Sequence, residues 1–204
     1  MENCKEYSSS LCFISLLYLL CFGLGCIGCA DDISPTNNDS MAEDISLPPS
    51  TFVIDASNRE EWVYFDLDLS FDPLSEETEG WDLAFQRFKV KSNGGISGDG
   101  DVEVAILKDV IYEEIQNAPE AMYLVDQDDS DDDGDTPDYV FNQGDQWYEY
   151  DLSTHTLSPR ENVYIIRSTD GLYFKLRFLD YYNEVGDPAL VKVMMGQINT
   201  PSSN

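Results

Sequence analysis

From residue 51 onward apolar and polar positions alternate in short runs. Between Glu61 and Ser70, Val63, Phe65, Leu67 and Leu69 point one way while Trp62, Tyr64, Asp66 and Asp68 point the other, which predicts a half-buried strand with acid on its wet face. From Trp81 to Val90, Trp81, Leu83 and Phe85 share a face that turns basic at Arg87 and Lys89; Ala84, Phe88 and Val90 share the other, so this strand is expected to be covered on both sides. Further strands are predicted at Thr51–Asp55, Val102–Leu107, Trp147–Leu152, Asn162–Ser168 and Leu190–Met195. Asp170-Gly171 between two apolar runs is a tight-hairpin signal, and along the return strand Leu172, Phe174, Leu176 and Phe178 are expected inside with Tyr173, Lys175 and Arg177 outside. Asp109–Asn117, stopped by Pro119, is the one stretch that reads as helix. Lys91–Gly100 carries four glycines in ten residues and reads as a loop whose shape matters. The predicted fold class is therefore all-β: a single, mostly antiparallel domain, curled or sandwich-like, with at most one short helix.

The first 29 residues read differently. Leu11–Cys29 is an apolar run whose end is broken by Gly23, Gly25 and Gly28, where a spanning helix wants about 20 predominantly apolar residues, and it predicts a signal or lipoprotein leader, with an uncleaved anchor as the alternative. Small residues before a cysteine and an acidic stretch after it point to lipidation at Cys29 or Cys26. Residues 30–50 then form a polar tether, 51–198 the β domain, and 199–204 a disordered tail. The expected location is the cell envelope, as an outer-membrane or surface lipoprotein, with secretion as the alternative.

Composition narrows the chemistry. Forty acidic against 11 basic residues give a formal charge of −29, which repels a phosphate backbone and excludes nucleic acid as a partner. All five cysteines precede residue 30 and there is one histidine, so thiol catalysis and zinc sites in the domain are excluded. With the chain cut at Cys29, no other cysteine remains for a disulfide. No nucleophile motif or phosphate-cradling loop occurs, and the many carboxylates make any carboxylate pair uninformative, so no enzyme is predicted. Residues 126–138 hold eight aspartates in thirteen positions, an exposed loop. Within it Asp129, Asp131, Asp133 and Asp135 suit a calcium ion, although Val140 stands where a closing glutamate belongs.

Four segments in order resemble the HmuY family of bacterial haem-binding lipoproteins: FVIDASNREEWVYFDLD, GWDLAFQRFKVKSNGGISGDG, WYEYDLSTHTLSP and VYIIRSTDGLYFKLRFLDYY. The most specific parts are Trp81-Asp82-Leu83-Ala84-Phe85 followed by Asn93-Gly94-Gly95-Ile96-Ser97-Gly98, and the hairpin around Asp170-Gly171-Leu172-Tyr173-Phe174-Lys175. The resemblance implies a mostly β fold, lipid anchoring at the cell surface, and haem held between two axial side chains, then passed to an outer-membrane importer. With His155 as the only histidine, bis-histidine ligation by one chain is excluded. The positions that bear the relatives' ligands fall here near Asp151-Leu152 and in the acidic loop. Methionine is a ligand in some relatives, which leaves His155 and Met122 as axial candidates, with Met194 and Met195 expected in strand core. Propionates would need a basic patch, and Arg87, Lys89 and Lys91 or Lys175 and Arg177 are the candidates. The predicted function is binding of haem or a related flat, apolar ligand; the alternative is a structural or adhesive surface module with a calcium-binding aspartate loop.

Overall fold

The computed structural model describes residues 49–69, 73–74, 77, 80–129, 137–144 and 146–202. All of them belong to the second of two units, Glu43–Asn204. The strands are β1 (Ser50–Asp55), β2 (Val63–Phe65), β3 (Pro73–Leu74), β4 (Leu83–Gln86), β5 (Lys89–Ser92), β6 (Glu103–Leu107), β7 (Tyr148–Asp151), β8 (Thr156–Pro159), β9 (Val163–Arg167), β10 (Tyr173–Tyr182) and β11 (Pro188–Ile198). They form an antiparallel five-stranded sheet in the order β1-β11-β10-β9-β6, a four-stranded sheet in the order β3-β2-β4-β5, and the separate hairpin β7-β8.

The alternation read from the sequence selects the shared core. Phe65, Leu83, Phe85 and Val90 from the smaller sheet meet Val104, Ile166, Phe174, Leu176, Phe178, Val191 and Val193 from the larger. Trp147 fills the centre, stacked on Phe178 with centroids 4.3 Å apart and planes at 20°, its indole N–H donating to the Phe88 carbonyl at 2.9 Å. Such a ring buries a large apolar area and satisfies its only polar atom at once. Strands β9 and β10 are joined by the predicted tight turn, with Gly171 at φ +80° and Gly171 N–H donating to Ser168 O at 2.9 Å. Only glycine adopts that backbone without strain.

Six expectations are corrected. The single strand predicted over Trp81–Val90 is a hairpin, because Arg87 at φ +56° reverses the chain and sets β4 against β5. Leu172, expected inside with Phe174, is 40% exposed because it lies in the turn before β10 begins. The strand predicted over Glu61–Ser70 is paired only from Val63 to Phe65; Leu67 is still buried, but Leu69 is 77% exposed because the chain has already left the sheet. The helix predicted over Asp109–Asn117 is a single 3-10 turn at Tyr112–Glu114, since two β-branched residues precede it and no side chain caps it. Lys175 does not face water. The strand register sets Lys175 beside Ile165, and Ile165 beside Ala105, on the second face of the large sheet. The Tyr112–Ile115 segment covers that face, and the Lys175 ammonium donates to the Tyr112 and Ile115 carbonyls at 2.9 and 2.8 Å and lies 4.5 Å from the Tyr112 ring centroid. Finally, the acidic run is exposed in part only. Asp126, at its start, is 1% exposed and accepts backbone N–H bonds from Ser92 and Val140, each at 2.9 Å. One residue on, Gln127 and Asp138 exchange backbone hydrogen bonds and close the base of the loop.

A second buried aspartate ties the sheets together. Asp82 is fully buried; its carboxylate accepts Leu67 N–H at 2.7 Å, Thr169 N–H at 2.7 Å and the Thr169 hydroxyl at 2.8 Å. Beside it Asp68 accepts the Ser168 hydroxyl at 2.6 Å and Asp170 N–H at 3.2 Å. The β9-β10 turn is thereby fastened to the chain leaving β2. Burial pushes the Asp82 carboxyl up to about 6 against the pull of its three donors.

Candidate ligand-binding site

The chain's one histidine lines a cleft of about 400 Å³ whose chemistry contrasts with the rest of this acidic surface. His155 lies in the β7-β8 turn, which Asp151 shapes by accepting Ser153 N–H and the Ser153 hydroxyl at 2.7 Å each. These bonds hold the Asp151 carboxyl below its ordinary range. They bring His155 to φ +57°, a region histidine enters more readily than branched residues, with its N–H donating to Asp151 O at 2.8 Å. The hairpin is then held against the large sheet by Leu157 N–H, which donates to the Tyr182 hydroxyl at 3.1 Å.

The imidazole Nδ1 lies 2.8 Å from the Tyr150 hydroxyl. When Nδ1–H donates to that oxygen, the lone pair of Nε2 is left for a metal ion, the arrangement by which an outer partner orients a histidine ligand. Facing it across the cleft are Arg59, Arg87, Phe88, Tyr181 and Tyr182. Arg87 sits at φ +56° in the β4-β5 turn; its N–H donates to Ala56 O at 2.8 Å and its guanidinium to Ser57 O at 3.2 Å, which fixes the side chain's direction. Both arginines act on Tyr181: burial pushes its hydroxyl up, and the two guanidinium charges pull it back. Two cations, one imidazole and a wall of aromatic rings can receive a flat ring system that carries carboxylates.

The other predicted site residues lie elsewhere. Met122 is 68% exposed at φ +75° and does not share the His155 cleft. Met195 is buried in the shared core, and Met194 packs against the cluster on the outer face. The two predicted basic patches are dispersed by the fold. Lys91 lies 4.8–5.0 Å from the ring centroids of Trp62, Tyr64 and Trp81, Lys175 is buried as described, and Arg177 pairs with Glu161 at 3.7 Å. Burial pushes the Lys91 amine down from its ordinary value. Arg87 alone of these reaches the cleft, where it joins Arg59, Tyr150, Tyr181 and Tyr182. None of those four was singled out from the sequence, and Arg59, inside Asn58-Arg59-Glu60-Glu61, looks neutralised there.

Asp129 is described and half-buried, whereas Asp131, Asp133 and Asp135 lie outside the described residues, as do Cys26, Cys29 and the leader. Among the described residues the carboxylates of Asp66, Asp68 and Asp82 approach within 4.8 Å of one another. Each accepts hydrogen bonds from the chain, Asp66 from Asp68 and Leu69 N–H, so the cluster serves as the crosslink between the sheets.

The family model described as HmuY protein matches residues 58–193, more than half of the chain. The chain belongs to the HmuY family. Among solved structures it is similar to the apo HmuY analogue of Tannerella forsythia, with 16% identity and a TM-score of 0.53 over 75% of this chain and 96% of that one. It is also similar to apo PinO from Porphyromonas gingivitis, with 15% identity and a TM-score of 0.53 over 75% and 98% of the two chains. At these identities the likeness establishes the shared all-β fold. No curated protein sequence matches the chain. Family membership agrees with the resemblance read from Trp81–Phe85, Asn93–Gly98 and the Asp170-Gly171 hairpin.

Proposed function

We propose that the protein is a non-catalytic binding protein for a haem-type ligand, flat, aromatic and carboxylate-bearing, and that the His155 cleft receives it. The observation that carries this reading is the convergence of the single histidine with Arg59 and Arg87 in one aromatic-walled cleft. Its volume of about 400 Å³ falls within the range of small-molecule sites, about 300–1,000 Å³. His155 Nε2 would meet the iron on one side, Arg59 and Arg87 would face the propionates, and Phe88, Tyr181 and Tyr182 would cover the ring. A lone histidine ligand suffices for haem when the opposite face is left to another group. Family membership supports the ligand class, and a surface lipoprotein that hands its ligand to an outer-membrane importer is the cellular role consistent with it.

Hemin titration followed in the Soret region tests the proposal. The expected result is a stoichiometric band shift that is lost in His155→Ala, weakened in the double variant Arg59→Gln/Arg87→Gln, and unchanged in Met122→Ala. Loss in Met122→Ala with His155→Ala unaffected would move the site away from this cleft. No shift in the parent protein would leave the structural surface module as the reading.

A further inference from the structure

The His155 cleft offers an iron-bearing ligand one strong axial donor. From residue 51 onward the chain has one histidine and no cysteine, and its methionines are Met122, Met194 and Met195. None of the three lines the cleft, and the tyrosines that do are otherwise engaged: Tyr150 on His155 Nδ1, Tyr182 as acceptor for Leu157 N–H, and Tyr181 buried beside the Trp147 ring. Haem iron takes a donor on each of its two faces, so one copy of this domain supplies half of a symmetric pair. His155 is exposed in the β7-β8 turn, and a ligand that it holds stays within reach of a second molecule.

Two turns flank the mouth of the cleft, and each presents an apolar side chain to water. The β7-β8 turn carries Leu152, 78% exposed, between the lining residues Tyr150 and His155. The β10-β11 turn carries Val185, 82% exposed, between the lining residues Tyr182 and Pro188. Neither turn is loosely built. Asp151 accepts Thr154 N–H at 3.4 Å in addition to both Ser153 donors, while Asn183 Oδ1 accepts Val185 N–H at 3.1 Å and Asp187 N–H at 2.8 Å, and the Asn183 amide donates to Asp187 Oδ2 at 2.8 Å. A single exposed apolar residue is ordinary, but two of them, fixed on opposite walls of one ligand cleft, form a rim suited to contact with another protein.

We infer that a second copy of this chain completes the site: two molecules meet face to face over one haem-type ligand, each giving His155 to one side of it, with Leu152 and Val185 of both copies in contact around the rim. The inference rests on the reading of the His155 cleft as a haem-type site. A two-fold arrangement uses the same patch on both chains, so it needs no donor beyond the histidine already present. Two chains of formal charge −29 repel each other, and the pair therefore forms only with ligand between them, where Arg59 and Arg87 of each copy offset part of the acid.

Sedimentation velocity and hemin titration on the same samples test it. Without hemin the protein is expected to be monomeric. With hemin it should become a dimer, saturate at one hemin per two chains, and show the low-spin spectrum of iron between two imidazoles. Leu152→Ser combined with Val185→Ser should still bind hemin but weaken dimerisation about tenfold, since each change is met twice across the two-fold axis. His155→Ala should abolish the dimer, and iron-free protoporphyrin should leave the parent monomeric. Saturation at one hemin per chain by a monomer would overturn the inference and leave the binding site standing, whereas the absence of any spectral change would overturn the reading of the cleft itself. A dimer formed equally well with protoporphyrin, or formed by the double serine variant as tightly as by the parent, would also overturn the inference.

Discussion

Moving from pH 7 to about pH 4 is expected to stabilise the fold through Asp82, the reverse of the usual behaviour of a paired carboxylate. Its carboxyl is pushed up to about 6 in the folded protein, against 3.8 as its ordinary value, because burial outweighs three hydrogen bonds to the charged form. Between those two values the folded chain keeps a proton that the unfolded chain has lost, so stability falls as pH rises through this window and levels off above about 6. The shift, 6 − 3.8, is about two units, and at 1.36 kcal/mol per unit it corresponds to about 3 kcal/mol. For a domain of this size that is a change of about 6–12 °C in Tm. Asp68 and Asp126, both pushed up by burial, add in the same direction, as does relief of the −29 charge, so the parent curve alone is not diagnostic. The decisive measurement is urea or thermal unfolding of the parent and Asp82→Asn side by side from pH 4 to 7.5. The gap between them should shift in favour of the parent by about 3 kcal/mol toward the acid end. Parallel curves would refute the reasoning and show that the Leu67 and Thr169 donors hold Asp82 ionised throughout.

Three further predictions concern the scaffold. Trp147→Ala removes a fully buried ring together with its stack on Phe178 and should lower unfolding stability by about 3–5 kcal/mol, read by chemical denaturation. Gly95→Ala should be much more damaging than Gly171→Ala in the same assay. Both sit at positive φ, at a cost of about 1–3 kcal/mol for a residue with a side chain, but a Cβ on Gly95 meets the Asp126 carbonyl while one on Gly171 meets nothing within 4 Å. Lys175→Met leaves the Tyr112 and Ile115 carbonyls without their donor, and a loss of about 1–3 kcal/mol is expected, with faster amide exchange over residues 112–118 than elsewhere.

What could be read in advance follows the range of each interaction. Parity within a strand and the chemistry of a two-residue turn are local, so the β9-β10 hairpin, the inward set Phe174, Leu176 and Phe178, and the all-β class were legible. The outer face of the large sheet was not, because whether Lys175 meets water depends on a segment some sixty residues earlier folding over it. Asp126 misled for a related reason: eight aspartates in a row of thirteen read as one solvated loop, yet the first is taken inside by backbone donors at Ser92 of β5 and at Val140, beyond the run. The His155 cleft is assembled from the β7-β8 turn, the β4-β5 turn, the end of β10 and the chain near Arg59. Its histidine was visible as a singular residue, and its arginines gained meaning only once they stood opposite that ring.

The order of the large sheet also governs when the protein can acquire it. Strand β11, residues 188–198, lies between β1 and β10, so the earliest strand of the domain has no neighbour until nearly two hundred residues have been made. Pairs such as Phe52 with Val193 close one of the longest loops available in the chain, a slow step in which early strands wait with open edges. A ribosome that stops before Pro188 therefore releases a product with two unmated edges, and a protease or chaperone could distinguish it from finished material by those edges alone.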